Sequence, residues 1–68
     1  MALPLIINGY FMKSSIHHAH IKEKDLRKLL NRLHLRPENL LLMTVDESGR
    51  VTYVLKDSPD GKINEVEL

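Results

Sequence analysis

Cysteine is absent from this 68-residue chain, and so is tryptophan. The first absence excludes a disulfide staple and a thiolate metal site. Aromatic residues are scarce as well: Tyr10, Phe11 and Tyr53 are all there are. Charge of one sign is also missing, because ten basic residues nearly cancel nine acidic ones and leave a net +1. That balance is far from the positive field of a nucleic-acid binder, so no nucleic-acid partner is expected. Nor is there a long hydrophobic run. The longest, Leu40–Met43, is well short of the roughly twenty residues that cross a bilayer. The apolar opening contains Pro4 and no basic n-region, so it does not read as a secretory leader.

What is present is aliphatic, with twelve leucines leading the composition. A chain this short buries only roughly 60% of its unfolded surface. Residues 1–68 are therefore read as one small domain, its core over about 3–56. It must rest on aliphatic packing or on a partner surface.

The stretch from Lys22 to Leu35 has the one clear helical period. Leu26, Leu29, Leu30 and Leu33 fall at i, i+3, i+4 and i+7, which puts them on one face of a helix. Lys24, Arg27, Lys28, Asn31 and Arg32 fill the opposite side. Lys22 is the expected N-cap, with Asp25 at N3 and Ile21 placed to pack on Leu26. Acidic Glu23 and Asp25 precede the basic residues, as the helix dipole favours. Pro37 is the expected stop, because it pushes Arg36 out of helical geometry.

On either flank lie β-prone pairs. Leu5-Ile6-Ile7 and Tyr10-Phe11-Met12 bracket Asn8-Gly9, a strong signal for a two-residue hairpin. Pro4 suits the first position of the strand. Lys13 to His20 has no period and reads as a connection, anchored by Ile16 and Ile21. After the helix, Leu40–Val45 and Val51–Leu55 bracket Asp46-Glu47-Ser48-Gly49-Arg50, with Gly49 suited to a left-handed position. Val51, Tyr53 and Leu55 share one side of their strand, Thr52 and Val54 the other; the sequence leaves open which meets the helix. Residues 57–68 give a turn at Ser58-Pro59-Asp60-Gly61 and then a weak edge strand or tail. The expected fold is α+β, a two-layer ββαββ module of two hairpins and a single helix.

No catalytic pair emerges, and no enzyme activity or cofactor is expected. Ser14 and Ser15 near His17 and His18 lack the strand–turn–helix setting of a hydrolase nucleophile. Asp46 and Glu47 belong to a turn, and Asn8-Gly9 lacks the further glycines of a phosphate loop. His17, His18 and His20, with His34 further on, are the only candidate metal ligands. Their spacing fits no structural zinc pattern, so surface histidines are preferred over a metal site. The cationic helix side is read as a solvated exterior in preference to a phosphate or lipid-headgroup surface.

In their order these signals resemble the soluble C-terminal module of the YetF-like bacterial membrane proteins. The resemblance runs over Leu3–Lys56 and is carried by Ile6, Asn8, Gly9, Leu26, Leu30, Asp46, Gly49 and Val51. The chain departs from the family pattern at Lys22, where Ser or Thr is frequent, and at Leu30-Asn31, where Leu-Arg is common. The resemblance implies a module on the cytoplasmic side of the cell membrane, tethered by transmembrane helices that lie outside these residues. It also implies self-association and no established biochemical activity, with a role in spore-membrane permeability conceivable for some relatives. The expected function is thus a non-catalytic assembly module whose partner is a copy of itself or a neighbouring module. Phe11, Leu40, Leu42, Met43 and Tyr53 are the expected contact residues. The alternative is a small ligand or metal sensor using His17, His18, His20 and the basic helix face.

Overall fold

A computed structural model describes residues 2–68. Five strands form one antiparallel sheet: β1 (Leu3–Ile7), β2 (Tyr10–Phe11), β3 (Leu40–Val45), β4 (Arg50–Leu55) and β5 (Asn64–Glu67), in the spatial order β2-β1-β3-β4-β5. Two helices, α1 (Lys13–His18) and α2 (Glu23–Arg32), separate β2 from β3. The class is α+β, but the ββαββ layout with one helix is corrected to ββααβββ. The two hairpins are also not separate, because β1 pairs with β3 and fuses them into one sheet.

Each difference has a local cause. Helix α1 spans six residues with Ile16 as its one buried position, too short to display a period. It forms because Ile16 is 4% exposed in the common core, tertiary packing supplying what an isolated six-residue helix lacks. Helix α2 starts after Lys22 as expected but ends at Arg32, ahead of Pro37. Its stop is a Schellman motif. His34 is left-handed (φ 58°), its N–H donates to the Asn31 carbonyl at 3.1 Å, and the Leu35 N–H donates to Leu30 at 2.8 Å. Helix α1 ends identically: His20 has φ 59°, its N–H donates to His17 at 3.0 Å, and the Ile21 N–H donates to Ile16 at 3.2 Å. Ile21 and Leu35 then pack on the core, the hydrophobic contact that accompanies this cap. Pro37 instead opens a 3-10 turn over Pro37–Asn39 that leads into β3.

The Asn8-Gly9 turn is as expected, with φ 50° and 87° and Ile7 opposite Tyr10; positive φ at both positions defines a type I′ hairpin. Gly9 is doubly constrained, since a Cβ there would lie 3.3 Å from the Glu38 Cα. Pro4 is the second residue of β1, not the first, and sits beside a register shift between Pro4 and Ile6. That irregularity lets adjacent Leu5 and Ile6 both be fully buried. A second shift between Leu40 and Leu42 leaves adjacent Leu41 and Leu42 both exposed, with Leu40 and Met43 fully buried on either side. Bulges of this kind break the inside–outside alternation of a strand.

The core joins Leu5 and Ile6 of β1, Ile16 of α1, Leu26, Leu29 and Leu30 of α2, Leu40, Met43 and Val45 of β3, and Val51 of β4. Leu33 is partly buried against it. Strands from both ends of the chain thus cover the leucine face. Strand β5 closes one edge, its Val66 opposite Val51 and packed on the core. The Arg32 guanidinium donates to the Glu67 carbonyl at 3.1 Å, fastening the end of α2 to that strand.

Candidate interaction face

Alternation along paired strands assigns the two sides of the sheet. Val45, Val51 and Val66 form one cross-strand row, and Ile6, Met43 and Tyr53 another, all on the helix side. The opposite side carries Tyr10, Ile7, Leu42 and Val54, one from each of four adjacent strands, in register as neighbours. Among the described residues no helix covers them. Tyr10 is 72% exposed, Ile7 41% and Leu42 37%, and Leu41 beside them is 49% exposed. The next row is Pro4, Thr44, Thr52 and Glu65, and beyond it lie Arg50 and Glu67. The outer face is therefore apolar at the Asn8-Gly9 end and charged at the opposite corner, where Arg50 meets Glu65 at 3.3 Å.

Only one of the five expected contact residues lies on this face. Leu42 does; Leu40 and Met43 are fully buried core residues and cannot touch a partner. Tyr53 is half-buried on the helix side, and so is Phe11, whose ring carries the Arg27 guanidinium 4.8 Å above its centroid. Ile7, Tyr10, Leu41 and Val54 were missed. The two-residue turn does pair Ile7 with Tyr10 from sequence alone, but the bulge at Leu41 has no sequence signature.

The histidines do not converge. His17 and His18 are exposed with perpendicular rings, centroids 6.2 Å apart. The His18 Nδ1–H donates to the Ser14 carbonyl at 2.8 Å, a bond within α1. His20 and His34 each occupy a helix cap. Among the described residues no group of three or more His, Cys, Asp or Glu side chains stands where it could hold a metal.

The cationic side of α2 is partly engaged: Arg27 pairs with Glu23 at 3.5 Å and Arg32 binds the β5 backbone. Alongside it, an open groove of about 390 Å³ is lined by His20, Lys28, Leu29, Arg32 and Leu68. A neighbouring cleft of about 340 Å³ lies among Leu3, His18, Ile21, Val45, Asp46 and Leu68.

Asp46 organises the β3–β4 turn. Its Oδ1 accepts from the Ser48 N–H at 3.0 Å, the Ser48 hydroxyl at 2.7 Å and the Arg50 N–H at 3.0 Å. The Ser48 hydroxyl first, and the Arg50 amide next, hold this exposed carboxyl below its ordinary pKa. Such self-bonded carboxylates shape turns, and the expected turn role of Gly49 fits, with φ 87°.

Among the described residues no helix is long and apolar enough to cross a membrane. No family model, curated protein or solved structure matches this chain.

Proposed function

We propose that this chain is a non-catalytic assembly module that pairs, through its uncovered sheet face, with a second copy of itself or a like neighbour. The observation that carries this is the row Tyr10, Ile7, Leu42 and Val54, contiguous across four strands with no helix among the described residues over it. Apolar side chains gathered in one patch on a small domain mark a contact surface far more often than scattered ones do. Each gains about 25 cal/mol per Å² removed from water.

The scale of the face sets the strength. The two longest dimensions are 32 and 22 Å, so one side of the molecule offers less than the roughly 800 Å² per partner of a standard interface. Association of the free module is accordingly weak. Tethering would change that, since linked modules meet at an effective concentration on the order of millimolar. This is where the YetF-like resemblance adds to the reading: a module held at the cytoplasmic side of the cell membrane has its partners concentrated for it. The order of signals from Leu3 to Lys56 supports that placement, and for some relatives the resemblance extends to a part in spore-membrane permeability.

Dilution followed by sedimentation velocity and by amide NMR shifts tests the proposal. The native chain should associate at high concentration, with shifts confined to Ile7, Tyr10, Leu41, Leu42 and Val54. Leu42→Asp should be monomeric at the same concentration with its melting temperature kept. A native chain that stays monomeric with no shifts on this face would end the reading.

A further inference from the structure

The turn at the apolar end of the outer face has a chemistry of its own. We propose that Asn8 is a site of spontaneous deamidation, closing through the Gly9 nitrogen to a succinimide that water opens to aspartate or isoaspartate. In the first step the Gly9 nitrogen gives its proton to solvent base and bonds to the Asn8 Cγ, while the Cγ–Nδ2 bond breaks and Nδ2, taking a proton back from solvent, leaves as ammonia. In the second, water adds to either ring carbonyl; opening at one yields aspartate and at the other isoaspartate. No oxidant or reductant takes part.

Three features single out this asparagine, a thermolabile residue type in general. The Asn8 side chain is exposed, and Gly9 has no Cβ to shield its nitrogen. The Gly9 N–H also has no hydrogen-bond partner among the described residues, as expected for the second corner of a type I′ turn. Asn31 and Asn39 are exposed as well, so the following residue and the backbone setting make the difference. Bulky Arg32, Leu40 and Glu65 follow Asn31, Asn39 and Asn64, and α2, the 3-10 turn and β5 hold their backbones.

Ring closure requires Asn8 to leave its left-handed conformation, so the hairpin must open. It is held closed by the Asn8 and Met12 N–H groups, which donate to the Leu41 and Leu5 carbonyls at 2.8 Å, and by Phe11 against the core, but the strand itself is short. Strand β2 has two residues, paired as Ile7 with Tyr10 and Ile6 with Phe11, and Tyr10 is 72% exposed. Short edge elements open locally at a free energy well below that of global unfolding. The product does not fit the original turn. Isoaspartate adds a backbone methylene to a two-residue turn whose Asn8 N–H donates to the Leu41 carbonyl at 2.8 Å, so modification loosens β2 from β1.

The test incubates the full chain at mildly alkaline pH and follows each asparagine by peptide mass spectrometry, released ammonia and isoaspartyl methyltransferase labelling. The expected result is an amide-to-acid mass gain at Asn8 alone, with equimolar ammonia and methyltransferase-labelled isoaspartate. Amide spectra should then show the Ile7–Tyr10 pairing lost. A peptide covering residues 4–12 should convert faster, because it has no hairpin to open. Asn8 intact after that peptide has fully converted would overturn the proposal, and so would Asn31, Asn39 or Asn64 reacting as fast. Asn8→Gln should silence ammonia release, since its six-membered ring closes far more slowly; release that continues in this variant would also refute it.

Discussion

His20 and His34 sit at positive φ where a β-carbon crowds the following carbonyl, a conformation costing an L-residue roughly 1–2 kcal/mol. Glycine escapes that crowding at some cost in chain entropy. His20→Gly and His34→Gly should therefore each stabilise the fold by about 0.5–1 kcal/mol, read as a higher urea midpoint at unchanged m-value. Lower stability in both would mean that the imidazoles contribute something the caps do not explain. Asp46 is the other residue whose geometry outweighs its sequence context. Its carboxyl is held below the ordinary value of 3.8, so its stabilising effect is present above that pH and lost as pH falls through the folded-state value. Asp46→Asn should lower the melting temperature at neutral pH. Its difference from the native chain should shrink below pH 3.8, which thermal melts across that range would record.

At the scale of elements, α2 holds the molecule together by its leucine face. Leu26 is fully buried among residues from both ends of the chain. Leu26→Ala should cost about 2–5 kcal/mol, against a total on the order of 3–10 kcal/mol for a chain of this length. Urea titration should show a large loss of midpoint or an unfolded variant; a change within experimental error would contradict the packing described. That helix was legible because four leucines repeat at its period. Helix α1 was not, because one buried isoleucine in six residues makes no pattern. The caps at His20 and His34 escaped notice since glycine and asparagine are the usual markers of a left-handed stop.

For the whole molecule, one sheet replaces the two expected hairpins, and β5 completes it. Val66 covers the flank of fully buried Val51, and Arg32 pins the strand end. A chain ending at Lys56 should lose about 1–3 kcal/mol for the packing given up and exchange β4 amides faster; native-like protection of β4 in that shortened chain would show β5 to be dispensable. The candidate contact face is likewise a property of the whole. Tyr10, Ile7, Leu42 and Val54 come from four strands, and nothing short of their pairing makes them neighbours.

The amino-acid sequence by itself determined the local decisions: the Asn8-Gly9 turn, the span of β3, the start of α2 and its leucine face. Each depends on residues a few positions apart, and their chemistry is enough. Tertiary structure alone decided the pairing of β1 with β3, the existence of α1 and the two bulges, and through them which apolar residues became core and which stayed outside. Leu40 and Leu42 show why. As residues two apart on a regular strand they would share a side, yet the extra residue between them at Leu41 buries one and exposes the other. That irregularity lies in the pairing of β3 with β4, and the strand on its other side, β1, comes from the far end of the chain.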